Sequence, residues 1–186
     1  MNRPALLLLA FGLGAPALAQ SALKGHDADA PVNVTSDRIE VSDRDNRAVF
    51  VGRVHMVQGD MTMDAARVTV AYRKAAAGAD PEIQRIDASG GVTVVDPSER
   101  AKGSFGIYDL DRRLITLIGG VSLTRGANTI NGARLVIDLN TGRSTVDGNA
   151  VGGPAGAAPA AGGRVTGRFS VPKRANDPTP AGTPPK

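Results

Sequence analysis

Two histidines and no cysteine leave this chain little with which to do acid–base or covalent chemistry. His26 precedes the first strand-like segment. His55 lies between Val54 and Met56 at outward strand parity, where a solvated side chain is expected rather than a general base. No serine has a histidine partner. Asp43-x-Asp45-Asn46 opens like a calcium loop, but the later glycine and bidentate glutamate are absent, so a hairpin turn is expected there. Gly90-Gly91 and Gly119-Gly120 precede no helix and read as turn or bulge glycines, not phosphate loops. The lack of cysteine excludes disulfides, zinc–thiolate sites and thiol nucleophiles. The chain is read as a non-enzyme with no catalytic residue, no metal site and no cofactor. Trp is absent and aromatics are 3% of the residues, which removes the stacking platforms of a single-strand nucleic-acid binder. The charge of +4 invites an anionic partner, but Lys and Arg are spread along the chain. Anionic lipid is expected, not nucleic acid.

Both ends are set apart by composition. Arg3, the apolar run Ala5 to Leu13 and the small-x-small triplet Ala17-Leu18-Ala19 form a signal peptide over 1–19, with Gln20 first after cleavage. Residues 150–186 form a Pro/Ala/Gly-rich tail with too little apolar surface to order most of it, leaving room for one last strand at 164–171. The remaining domain, 30–149, is about 120 residues, enough for one modest core.

That domain alternates with period two. Val32-x-Val34, Ile39-x-Val41, Val54-x-Met56, Met61-x-Met63, Val68-x-Val70-x-Tyr72, Val92-x-Val94, Val121-x-Leu123 and Leu135-x-Ile137-x-Leu139 each place apolar residues on one side of a strand. Turn signals separate them, among them Asp43 to Asn46, Gln58-Gly59-Asp60, Ser89-Gly90-Gly91, Asp96-Pro97-Ser98 and Asn140-Thr141-Gly142. Lys74 to Ala79, the one helix-like stretch, is short and ends at Asp80-Pro81, and reads as a loop. The fold class is all-β and antiparallel. An offset of 67 positions maps Phe50-Val51-Gly52-Arg53-Val54 onto Leu117-Ile118-Gly119-Gly120-Val121, and Ala66-Arg67-Val68 onto Ala133-Arg134-Leu135. Ala88 to Val94 and Ala101 to Tyr108 repeat the unit between them, so three strand-turn-strand copies stack as a jelly roll or flattened solenoid.

The inward set comprises Val32, Val34, Val41, Phe50, Val54, Met56, Val68, Val70, Tyr72, Val92, Val94, Tyr108, Leu117, Val121, Leu123, Leu135 and Ile137. Such a set is either ordinary core or the lining of a space. Ordinary core is the default, and the small residues placed inward, Gly52, Gly90, Ser104, Gly106 and Gly119, raise the alternative by leaving room for an acyl chain.

The ordered blocks carry a resemblance. Asp37 after Val32-x-Val34, Val49 to Val54, Gln58-Gly59, Asp64 to Val68, Ala101-Lys102-Gly103-Ser104 with Tyr108-Asp109-Leu110, Leu114 to Val121, and Ile130-x-Gly132-x-x-Leu135 together resemble the LptA/OstA-like periplasmic proteins of lipopolysaccharide transport. Gly163-Arg164-Val165 to Val171-Pro172 is similar to the family's last strand. The resemblance implies a β-jelly-roll shaped like a twisted open taco, located in the periplasm. Its apolar groove would shield the acyl chains of lipid A as lipopolysaccharide moves from the inner to the outer membrane. It maps groove positions onto Val32, Val34, Val41, Val94, Tyr108 and Leu110. Arg53, Arg67, Arg73, Lys102 and Arg134 are the candidates for contact with its phosphates. The partners implied are an inner-membrane export complex and an outer-membrane assembly complex, docking on edge strands. Edges at Pro31 to Thr35 and Leu135 to Leu139, poorly protected, predict a head-to-tail homo-oligomer. Two alternatives remain open: a membrane-anchored LptC-like component of the same pathway, and a structural β-solenoid module without lipid binding.

Overall fold

The computed structural model describes residues 26–74, 81–148 and 163–170. The signal peptide at 1–19, nearly all of the Lys74 to Ala79 loop and most of the tail lie outside these described residues. Within them every regular element is a strand: β1 Val32–Thr35, β2 Arg38–Ser42, β3 Arg47–Gln58, β4 Met61–Arg73, β5 Glu82–Val95, β6 Glu99–Asp109, β7 Leu114–Arg125, β8 Asn128–Asp138, β9 Arg143–Asp147 and β10 Thr166–Arg168. The long strands β3 to β8 pair antiparallel in sequence order, each with the next. The repeat therefore appears as three hairpins, β3–β4, β5–β6 and β7–β8, and the offset of 67 superposes the first on the third in register: Phe50 faces Val68 as Leu117 faces Leu135.

The strands are longer than the sequence pattern implies, because both glycine pairs read as turn or bulge lie inside strands as bulges, including Ser89-Gly90-Gly91, one of the turns expected between strands. Gly90-Gly91 is in the middle of β5 and Gly119-Gly120 in the middle of β7. The register shifts at these points and at matching points of neighbouring strands: Val51/Val54, Asp64/Arg67, Ser89/Val92, Lys102/Phe105 and Ile118/Val121. Bulges bend the strand that carries them. Aligned across the sheet, they crease it along one line, so each long strand contributes one half to each of two facing leaves. The first leaf holds β2, β9 and the segments next to them; the second holds β1, β10 and the segments next to those.

The small residues thus have another role than leaving space. Gly90 and Gly119 have φ of +84° and +86°, which only glycine adopts without strain, and they shape the crease. Gly52 (φ +81°) does the same, with the Asp37 side chain lying over it. Ser104 is exposed, and its hydroxyl donates to the Gly119 carbonyl at 3.0 Å. Gly106 does face inward, but a Cβ there would lie 3.0 Å from Val92 Cγ1 and 3.1 Å from Leu117 Cδ2, so its neighbours already fill the place.

At the crease Arg53 takes a left-handed conformation (φ +42°), held by a two-pronged bond to Asp37, with Nε 3.0 Å and Nη2 2.5 Å from Oδ1. The Arg53 hydrogen bonds keep the Asp37 carboxyl below its ordinary pKa, outweighing the opposing desolvation. A depressed carboxylate pKa stabilises the fold above the unfolded-state value of about 3.8, and that contribution is lost as pH falls through the folded value. Asp37→Asn should therefore lower the urea midpoint at pH 7, and the gap to the unaltered chain should close as pH drops below 3.8.

Each sheet edge consists of two short strands end to end. β1 and β2 lie along β3, and β9 and β10 along β8. The C-terminal edge is accordingly not Leu135 to Leu139, as predicted: β9 covers that segment and β10 covers Thr129 to Asn131.

Candidate functional site

Residues that pair across antiparallel strands point to the same face, so the register reads out the interior row by row. In the first leaf one row runs Val41, Ala48, Val70, Ile86, Tyr108, Ile115, Ile137, and the next runs Ile39, Phe50, Val68, Ala88, Gly106, Leu117, Leu135. In the second leaf a row runs Val34, Met56, Met63, Val94, Ala101, Leu123, Ile130. The two leaves meet in one apolar cluster. Of the residues predicted to line it, Val54, Met56, Val68, Val70, Val92, Val94, Tyr108, Leu117, Val121, Leu123, Leu135 and Ile137 are buried. Val32, Val34, Phe50 and Leu110 are partly buried against them.

Val41 and Tyr72 are the exceptions. Tyr72, past a register shift near the end of β4, is only half-buried outside the core cluster, and its hydroxyl donates to Asp43 Oδ1 at 3.3 Å. The parity of Val41 is inward, but β2 is an edge strand whose row has no further neighbour, and Val41 is 64% exposed. Ile39, beside it, is 54% exposed. The inner apolar surface thus runs out to solvent at the N-terminal edge of the first leaf. Met61, Met63, Ile86 and Ile115 belong to the interior without having been predicted as site residues; period-two parity with their neighbours was the available signal.

Among the described residues the inward side chains of the two leaves pack against one another in one cluster. A shallow hollow of about 250 Å³ lies on the opposite, outward face, among Arg67, Thr69, Asp87, Ser89, Phe105 and Ile107. A chain-like ligand would reach the fully buried inward rows only if the lips parted.

The lips carry polar groups that sequence reading missed. On the second leaf, Glu99 has a buried side chain and accepts from Arg125, with Nη2 2.5 Å and Nε 3.1 Å from Oε2. Asp96 in the same turn accepts from the Ser98 and Glu99 amides, both at 2.7 Å. Gln58, at the end of β3, is fully buried. Its amide donates to the carbonyls of Ala28 at 2.9 Å and Ala30 at 3.0 Å, and His26 Nε2 lies 3.2 Å from Gln58 Oε1. On the first leaf, Arg113 in the β6–β7 turn donates to both oxygens of Asp29, at 3.0 and 2.8 Å. Residues 26–30 thus strap one lip to the other. Beneath them the Tyr108 hydroxyl is buried without a hydrogen-bond partner, and desolvation pushes its pKa up to about 12.

The five basic candidates lie elsewhere. Arg67, Lys102 and Arg134 sit in outward rows beside Ser89, Thr93 and Ile118 respectively, and Arg73 pairs with Glu82 across β4 and β5. Arg53 is held by Asp37 at the crease, and Arg134 lies 4.0 Å from Asp147. Arg67, Lys102 and Arg134 lie at solvent parity, as basic residues that keep a sheet soluble do, while Arg73, the last residue of β4, lies near Asp111 of the β6–β7 turn. The strand arginine at inward parity is Arg125.

Comparison with known proteins gives this geometry its context. The family described as LptA/(LptD N-terminal domain) LPS transport protein matches residues 33–143. An uncharacterised protein of Rhizobium meliloti is 33% identical over 155 residues, covering 75% of this chain and 83% of its own. LPS-assembly protein LptD of Salmonella choleraesuis is 31% identical over 101 residues; the match covers 54% of this chain but only 13% of LptD. Among solved structures, LptH of Pseudomonas aeruginosa, described as the LptA-homologous periplasmic component of the lipopolysaccharide transport device, shares the fold with a TM-score of 0.64 at 19% identity. That match covers 78% of this chain and 99% of LptH. The antiparallel, creased, jelly-roll-like sheet is thus the architecture of that structure too. With the family match spanning β1 to the start of β9, the chain belongs to the LptA/(LptD N-terminal domain) family of LPS transport proteins.

Proposed function

We propose that this chain is a periplasmic lipopolysaccharide carrier that takes the acyl chains of lipid A between its two leaves and passes them along an inner apolar strip toward the outer membrane. The observation that carries this reading is the emergence of the strip at Ile39 and Val41, apolar residues left 54% and 64% exposed on an edge strand with one neighbour. An apolar interior that ends in an open edge is suited to being continued by another sheet, whether a second copy or a partner of like fold at either membrane. Covering an acyl chain stabilises the complex by about 0.8 kcal/mol per methylene, so several chains supply ample driving force to separate the lips. Partners at the inner and outer membranes would dock on the β1/β2 and β9/β10 edges, and copies would join head to tail.

Light scattering of the purified chain at increasing concentration, with and without lipid A, tests the bridging part. Growing oligomers that Val41→Glu suppresses are expected, because Val41 is exposed and its replacement leaves the core intact. Monomers at all concentrations would remove the bridge and leave a lipid shuttle.

A further inference from the structure

The strap across the lips ties two donors and leaves a third beside them. The Arg113 guanidinium and the Gln58 amide come from opposite leaves and meet successive residues of the strap, and the buried Tyr108, at the end of β6 that leads into the Arg113 turn, lies beside the Gln58 side chain. In this structure the acceptors that meet them belong to the chain itself: the Ala28 and Ala30 carbonyls on Gln58, and the Asp29 carboxylate on Arg113. The Tyr108 hydroxyl, fully buried, receives no acceptor from the strap, and the polar group beside it is the Gln58 side chain. Two carbonyl oxygens and a carboxylate, presented to an amide and a guanidinium, are the acceptor set of a phosphate monoester distributed over three consecutive residues, Ala28 to Ala30. A phosphate can answer all three donors at once, including the one the strap leaves unpaired. At pH 7 the phenol is protonated and so a donor.

We propose that Arg113, Gln58 and Tyr108 form a phosphate site at the lip of the groove, and that Asp29 occupies it as an internal mimic until a phosphorylated lipid headgroup displaces the strap. The proposal rests on the carrier reading for its ligand, a phosphate borne by an acylated sugar. It also links recognition to opening, since the groups that would bind the headgroup are those that tie the two lips together. The Arg113–Asp29 pair is solvent-accessible, with side chains 43% and 78% exposed, so exchanging one anion for another there has a low barrier. The basic residues on the outward rows offer no equivalent, because no buried donor accompanies them.

The test compares binding of a bisphosphorylated, acylated glucosamine disaccharide with its dephosphorylated counterpart, by a fluorescent acyl-probe displacement assay. It uses the full chain, Asp29→Asn and Arg113→Gln. Asp29→Asn should raise the preference for the phosphorylated lipid about tenfold, and Arg113→Gln should reduce that preference to near one; both changes untie the lips, so the dephosphorylated lipid should bind each variant at least as tightly as it binds the unaltered chain. A preference unchanged in both variants overturns the site. Inorganic phosphate competing as well as the lipid would assign the site to soluble phosphate and overturn the headgroup assignment. Failure of the dephosphorylated lipid to bind the unaltered chain would count against the groove, not against this site. The site has its own readout: glucosamine 1-phosphate should shift the Tyr108 ring NMR signals in Asp29→Asn and leave them unmoved in Asp29→Asn/Arg113→Gln. No shift in either overturns it.

Discussion

Leu117→Asp is expected to abolish folding, while Thr116→Asp, one residue away, is expected to leave stability within about 0.5 kcal/mol of the starting value. Leu117 is fully buried between Gly106 and Leu135 in the middle of the first leaf. An uncompensated carboxylate there costs several kcal/mol, a large part of the 5–15 kcal/mol typical of a domain this size. Thr116 lies in the outward row beside Ile107 and Val136, with no carboxylate opposite it, and its replacement faces water. Leu117→Ala, which leaves a cavity but no charge, should cost about 2–5 kcal/mol and retain the fold. Urea unfolding followed by circular dichroism separates the three. Equal losses at Leu117 and Thr116 would mean that the face assignment is inverted or that the sheet is not creased into two leaves.

The second large effect is expected at the crease. A Cβ on Gly90 would stand 2.5 Å from the Ala66 Cβ, and the backbone there has φ +84°. Gly90→Val combines a β-branched side chain in the left-handed region, about 1–3 kcal/mol of strain, with a clash against the neighbouring strand of similar size. Gly119→Ala meets the Ser104 Cβ at 2.9 Å with φ +86° and should follow the same course. Gly91 has φ +83° but nothing within 4 Å of its missing Cβ. Gly91→Asn, a residue that tolerates left-handed backbone, should therefore lose under about 1 kcal/mol. Thermal melts that ranked Gly91→Asn with or below Gly90→Val would show that the packing of β4 against β5 at the bend has been misjudged.

The parts of the fold that depend on local pattern were legible, and those that depend on which strand ends up at an edge were not. Period-two parity identified the inward residues of β3, β4, β7 and β8, and the offset of 67 paired the first hairpin with the third, because copied units keep their parity. Gly90-Gly91 and Gly119-Gly120 could be read as turn or bulge from sequence; both supply positive φ, and only the register across five strand pairs distinguishes them. Val41 was given the correct face, but its exposure was not legible, since nothing in Ile39-x-Val41 says that β2 has one neighbour. The strap was invisible for a related reason: Arg113 and Asp29 are 84 positions apart, and they meet only because the crease folds the end of β6 toward the end of β3. Gln58 did carry a signal, as a polar residue continuing the inward parity of Val54 and Met56.

The central claim is that acyl chains lie between the leaves, against the inward rows and not the outward ones. Photo-crosslinking residue by residue along β5 and β7 in living cells tests it most directly. A photoreactive amino acid at Val92, Val94, Leu117, Val121 or Leu123 should capture lipopolysaccharide, and the same group at Thr93, Thr116, Ser122 or Thr124 should not, giving an alternation with the period of the strand. Capture at both parities alike, or concentrated at Asp87, Ser89, Thr116 and Ile118 around the outward hollow, would contradict the account.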